Sequence, residues 1–253
     1  MIRQSAGPLS VLRHGEGPPL VLLHPLALAG ELWAPLAERL ADRYEVFAFD
    51  LRGHGQSGWD GQPFGIADLA EDVVTALDAL GLASVRLAGM SMGGSVAMTL
   101  AGRCPQRVSG LLLADTTAWY GPDAPAAWAE RAKKANGPRD KQLPFQVDRW
   151  FSEAFRAEQP EEVERVARIF LATASPAHAA ASIAMGALDA RPLLPAITAP
   201  TRVLVGEHDY ATPPAMAELL AEQIPNAHLR VLPNVRHLSL IEQPDALLAT
   251  EVS

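Results

Sequence analysis

At 253 residues, 49% apolar and 20% charged, the chain can form one large domain burying roughly 75% of the surface that it exposes when unfolded. Its net charge of −8, from 29 acidic and 21 basic residues, argues against nucleic-acid and anionic-membrane partners, which need a basic face. A single cysteine, Cys104, rules out an internal disulfide; with no apolar leader after Met1 and no apolar run long enough to span a bilayer, a cytoplasmic protein is expected.

In chain order, short apolar segments alternate with stretches whose apolar residues recur at helical spacing. Strands are predicted at 10–13, 20–23 and 45–49, with a helix at 32–41 between the last two. A helix at 67–80 follows, then a strand at 85–88, a helix at 91–103 and a strand at 110–114. This alternation predicts an α/β fold, a mostly parallel sheet with helices on both faces. From 119 to 194 the strand signal stops, and helices are predicted at 124–135, 145–155, 161–172 and 176–188. Strands return at 202–205 and 228–232. The helical insertion reads as a cap, dividing the chain into a core of 1–118, a cap of 119–194 and the continued core of 195–253.

The pentapeptide Gly89-Met90-Ser91-Met92-Gly93 lies where the strand at 85–88 gives way to the helix at 91–103. A serine in such a turn is thrust out to meet a substrate carbonyl, and the flanking glycines keep side chains out of the adjoining strand and helix. A hydroxyl is a poor nucleophile without a base, and the base needs an orienting carboxylate. In this kind of fold the chain order is serine, acid, histidine. Asp209 follows the strand at 202–205 and His237 follows that at 228–232, so both fall at the sheet edge where ligands bind.

Among the 7 histidines, His237 is best placed as base. His208 adjoins the acid and points away, His24 before Pro25 suits a backbone-orienting role, and His54 lies in a glycine-flanked turn. His14 and His228 look like surface or strand-edge residues, and His178 lies in the cap. Asp115, at the end of the strand at 110–114, is the rival acid. An oxyanion would be met by the backbone N–H of Met92, at a helix start, and by that of Leu26, since Pro25 has none.

These segments, joined by Asp50-Leu51-Arg52-Gly53-His54-Gly55-Gln56-Ser57, resemble the α/β-hydrolase fold family in order and across essentially the whole chain. Within it, the strings Arg149-Trp150-Phe151, Thr173-Ala174-Ser175-Pro176 and Asp189-Ala190-Arg191 resemble the cap of the 3-oxoadipate enol-lactone hydrolases of aromatic catabolism. The run His237-Leu238-Ser239 followed by Glu242 resembles that group's C-terminal segment, with a shortened final helix expected before Ser253. The loop His24-Pro25-Leu26-Ala27-Leu28-Ala29-Gly30 departs from the Asn-Ser-Leu-Gly-like stretch of the group. The resemblance implies a cofactor-independent serine hydrolase of a small lactone or ester, acting through Ser91, His237 and Asp209.

Two other readings use the same residues: C–C bond hydrolysis of a diketone acid, and a ligand receptor with a vestigial triad. Dehalogenases and epoxide hydrolases need a carboxylate where this chain has Ser91. No metal-ligand cluster or phosphate loop beyond the elbow implies a cofactor, so the expected partner is a small-molecule substrate.

In the cap, Trp119, Tyr120, Trp128 and Trp150, with Phe145 and Phe151, would either line an apolar slot over Ser91 or pack the cap onto the body. Trp150, Trp128 and Arg149 are the candidate substrate-binding residues. The basic run Arg131, Lys133, Lys134, Arg139 and Lys141 reads first as a solvated helix face, and second as a patch that draws a carboxylate. Arg52 reads as structural.

Overall fold

The computed structural model describes residues 1–248. Eight strands form one sheet: β1 (Ile2–Ala6), β2 (Leu9–His14), β3 (Pro19–Leu23), β4 (Glu45–Asp50), β5 (Val85–Met90), β6 (Val108–Ala114), β7 (Thr201–Gly206) and β8 (Ala227–Leu232). Their spatial order is β1-β2-β4-β3-β5-β6-β7-β8. β1 pairs antiparallel with β2 and β2 with β4, whereas all pairings from β4 to β8 are parallel. Central strands covered on both faces must be apolar throughout, and Leu20, Val21, Leu22 and Leu23 of β3 are all buried. β1 was not foreseen. It is an edge strand whose residues are mostly exposed, so it carries almost no apolar signal.

Helix α1 (Ala34–Leu40) follows β3 through a 3-10 turn at Gly30–Trp33, α2 (Ile66–Ala79) precedes β5, and α3 (Met92–Arg103) follows it. α3 is buried from Met92 through Gly102. The insertion after β6 holds α4 (Ala124–Ala135), α5 (Arg139–Trp150), α6 (Glu153–Glu158), α7 (Pro160–Ala172) and α8 (Ser175–Gly186). The single helix expected at 145–155 is therefore two. Phe151 is extended (φ −126°, ψ 140°) and ends α5; the Ser152 hydroxyl then caps α6 by accepting from Phe155 N–H at 3.2 Å. Pro144 is accommodated inside α5 on its exposed side.

The insertion ends beside where it began: Trp119 bridges Asp189, and Ala190 N–H donates to Ala118 O at 2.9 Å. After β7 comes α9 (Pro214–Gln223), which the sequence reading missed, and after β8 come α10 (Ser239–Glu242) and α11 (Asp245–Leu248). The shortened final helix before Ser253 falls largely outside the described residues. No single described helix is long and apolar enough to cross a membrane.

Candidate active site

Ser91 links β5 to α3 with φ 53° and ψ −119°, a left-handed conformation that costs a non-glycine residue energy. Its surroundings hold it there. Ser91 N–H donates to Ala114 O at 2.9 Å, while Ser91 O accepts from Thr116 Oγ1 at 2.7 Å and from Ser95 N–H at 3.1 Å. The glycines of the pentapeptide are required by contact. A Cβ on Gly89 would stand 2.2 Å from Gly93 O, and one on Gly93 would stand 2.2 Å from Leu23 O. Thr116, invisible to motif reading, completes the turn from just past the end of β6.

The loops after β7 and β8 bring an acid and a base to the same edge. His237 Nδ1 lies 2.8 Å from Asp209 Oδ2, and His237 Nε2 lies 3.0 Å from Ser91 Oγ. An ionised carboxylate only accepts, so Nδ1 carries the proton and Nε2 is left to accept from the serine hydroxyl. Asp209 also accepts from Ala211 N–H (2.7 Å), Thr212 N–H (3.0 Å) and Thr212 Oγ1 (2.7 Å). Burial alone would raise its pKa, but His237 and these donors outweigh burial and hold it below the usual carboxylate range. The arrangement can take a proton from Ser91 during attack and return it to a leaving group.

Asp115, the rival acid, has another place. It accepts from Gly206 N–H at 3.1 Å and Ser239 N–H at 3.0 Å, tying β6 to the loops that carry Asp209 and His237. Burial, then repulsion from Asp209, pushes its pKa well up. The His237 loop is clamped to the cap as well: Leu238 N–H donates to Trp150 O at 3.0 Å, and Glu242 accepts from Arg236 N–H at 2.8 Å and Ser152 N–H at 3.1 Å.

The loop after β3 supplies the other side of the site. Ala27 N–H donates to His54 Nε2 at 3.3 Å, and Ala27 O accepts from Thr173 Oγ1 at 2.9 Å, which fixes Ala27 at φ 62°. Ala27 N–H is thus spent, while Leu26 N–H has no partner among the described residues. Leu26 lines the pocket with Ser91. Met92 opens α3, where a first-turn N–H has no intrahelical acceptor. His24 takes the backbone-orienting role, with Nδ1–H donating to Pro25 O at 2.7 Å and Nε2 accepting from Leu51 N–H at 3.0 Å. Burial drives both His24 and His54 below the ordinary histidine pKa, His54 to about 3. Arg52 pairs with Asp72 at 2.7 Å, away from this pocket.

Trp128, Trp150 and Arg149 line the pocket with Ser91 and His237, joined by Arg131, Gln146, Phe170 and His178. Trp128 reaches this position because α8 comes close to α4; a Cβ on Gly186 would stand 2.6 Å from Trp128 Cβ. The other aromatics turn elsewhere. Phe145 is 59% exposed, Trp119 stacks under Arg191 at 3.7 Å, and Phe151 packs on Phe155 at 5.1 Å. Tyr120 meets Trp128 edge-on at 5.0 Å, behind the pocket wall. The pocket is nearly closed, with about 20 Å³ free, room for one water. A larger cavity of about 380 Å³, lined by Arg86, Arg202 and His228, opens at the opposite, amino edge of the strands and holds no nucleophile–base pair.

The basic run divides in a way that helical spacing does not reveal. Lys133, Lys134 and Lys141 are exposed, as a solvated face requires, but Arg131 and Arg139 are half-buried. Arg131 lies over the Trp128 ring at 4.4 Å, and neither Arg131 nor Arg149 has a carboxylate partner among the described residues. Arg149 Nε is buried with no hydrogen-bond partner. Burial first, and then Arg149, lowers Arg131 to about 9; burial also lowers Arg149. Both stay cationic at neutral pH, so two unpaired guanidiniums stand beside Ser91.

The sequence profile described as alpha/beta hydrolase fold matches residues 18–244. The chain is 31% identical to 3-oxoadipate enol-lactonase 2 of Acinetobacter baylyi over 235 residues, 91% of this chain and 86% of that protein. It is 29% identical to the pimeloyl-[acyl-carrier protein] methyl ester esterase of Nitrosospira multiformis over 269 residues, 94% of each. The crystal structure of the enol-lactonase from Burkholderia xenovorans superposes with a TM-score of 0.91 at 30% identity, covering 98% of this chain and 97% of that one.

Proposed function

This chain belongs to the α/β-hydrolase fold family, and from that membership we propose that it opens small lactones or esters carrying a carboxylate, with 3-oxoadipate enol-lactone the substrate that fits best. The observation that carries this reading is the pair of unpaired guanidiniums, Arg131 and Arg149, beside a Ser91–His237–Asp209 chain closed at 3.0 and 2.8 Å. Burying two cations without a counter-ion is costly unless a ligand anion completes the site. Similarity to enol-lactonases across nearly the whole chain supports the same substrate class.

Ser91 Oγ attacks the ring carbonyl as its proton passes to His237 Nε2. The developing oxyanion is met by the N–H groups of Leu26 and Met92, each worth about 3 kcal/mol in comparable sites. Collapse breaks the acyl–oxygen bond, and His237 returns the proton to the enol oxygen. Water then repeats the cycle on the acyl-enzyme, and the freed enol becomes a ketone. With about 20 Å³ free, the pocket must open before a ring larger than a water can enter.

Steady-state turnover of freshly generated 3-oxoadipate enol-lactone, beside p-nitrophenyl acetate, tests this with wild type and Ser91→Ala. Ser91-dependent lactone opening at a much higher kcat/KM than the ester is the expected result. Turnover of acetate alone would remove the carboxylate-bearing substrate, and turnover of neither would remove the hydrolase.

A further inference from the structure

His178, in α8 of the cap, is a buried polar residue to which the hydrolytic steps assign no task. It is 2% exposed and lines the pocket that holds Ser91. Its Nδ1 lies 3.2 Å from Arg139 Nη1. A guanidinium has donors only, so this contact exists only if Nδ1 accepts, which puts the imidazole proton on Nε2. Arg139 cannot drift away from that duty. Its Nε donates to Phe170 O at 2.8 Å, its Nη2 donates to the same carbonyl, and its guanidinium stacks on the Phe170 ring at 3.9 Å. His178 Nε2–H has no partner among the described residues.

We propose that His178 is a second substrate anchor: a neutral imidazole, locked by Arg139 with its proton on Nε2, that donates to an oxygen on the carboxylate-bearing half of the substrate. This rests on the carboxylate reading above and deepens it. The groups that face His178 are Arg139, Arg131 and His54, none of them an anion. Protonating His178 would break the Arg139 contact and add another positive charge to the pocket wall. A neutral donor adds a directed hydrogen bond to the substrate without that cost. Arg139 is a positioning residue, since it acts through His178.

Nitrogen-15 NMR of the histidines in the full chain tests the lock without relying on turnover. The His178 signals should show Nε2 protonated and Nδ1 bare from pH 5 to 9, and adding adipate should shift Nε2. An Nδ1–H tautomer, a titration inside that range, or no response to adipate would overturn the proposal. Kinetics supply the second arm, with mono-p-nitrophenyl adipate and p-nitrophenyl hexanoate, acyl chains of equal length with and without a terminal carboxylate. His178→Leu should lower kcat/KM for the adipate ester about tenfold or more, mainly through KM, and leave the hexanoate ester within about threefold. His178→Gln, which keeps a donor near Nε2, should recover most of the loss. Equal losses on both esters would assign His178 a packing role and end the proposal. If wild type turned over no ester or lactone, the hydrolase reading would fall, and the NMR response to adipate would still decide the anchor.

Discussion

The two sides of the pocket spend their hydrogen bonds differently. On the sheet side they are largely consumed: Ser91 O has two donors, Asp209 has four contacts including His237, and Ala27 is held at both its N–H and its carbonyl. On the cap side, Arg131, Arg149, the Gln146 amide and His178 Nε2 reach the same pocket with no hydrogen bond made among the described residues. A saturated framework holds reacting groups within tenths of an ångström, which proton transfer and oxyanion binding need. An unsaturated wall keeps its donors for a ligand. We read the division as chemistry below and selection above.

The comparison breaks most decisively at Ser91. Ser91→Ala should cut turnover of lactone and ester alike by about 10⁴-fold or more with the fold retained; residual activity near wild type, with unchanged circular dichroism, would remove the serine from the chemistry. Next comes the framework around it. Gly93→Ala puts a methyl 2.2 Å from Leu23 O and 2.9 Å from His24 O, both backbone atoms. Stability should drop by about 2 to 4 kcal/mol and activity with it, measured by urea midpoint and turnover.

On the cap side, Arg149→Met and Arg131→Met should each raise KM for carboxylate-bearing substrates about tenfold to a hundredfold. The kcat should change little, as should p-nitrophenyl acetate turnover. Equal losses on charged and neutral substrates would sink the division of labour.

The smallest expected effect concerns pH. His54 and His178, each lowered to about 3, stay neutral in the fold, and burial lowers His24 as well. The unfolded chain protonates all three near pH 6.5, so it binds more protons and stability falls as pH drops below that value. Asp115, whose pKa burial raises, acts in the opposite direction. The net expectation is a fall in stability between pH 7 and pH 5, carried by His54 and His178 and read from urea midpoints. A midpoint that held steady or rose would contradict burial of neutral histidines.

What was legible in the sequence follows from local rules. Central strands declare themselves as apolar runs, the pentapeptide announces a strand-to-helix turn, and parallel topology then delivers the ends of β5, β7 and β8 to one edge. Those rules reach Ser91, Asp209 and His237 because each lies just past a strand. They fail at β1, which has almost no buried face to write a pattern, and at α5, which begins at Arg139 and ends where Phe151 turns extended inside the single helix expected at 145–155.

By itself, then, the sequence determined the central strands of the sheet, the elbow and the family, since each depends on spacing within a short segment. Only the tertiary structure decided that Thr116 and Asp115 brace the turn and the acid–base loops, and that Thr173 and His54 hold Ala27. It alone separated Arg131 and Arg139 from the lysines between and beside them. These contacts join residues far apart in the chain. A helical period specifies a face, but packing against other elements decides what that face meets.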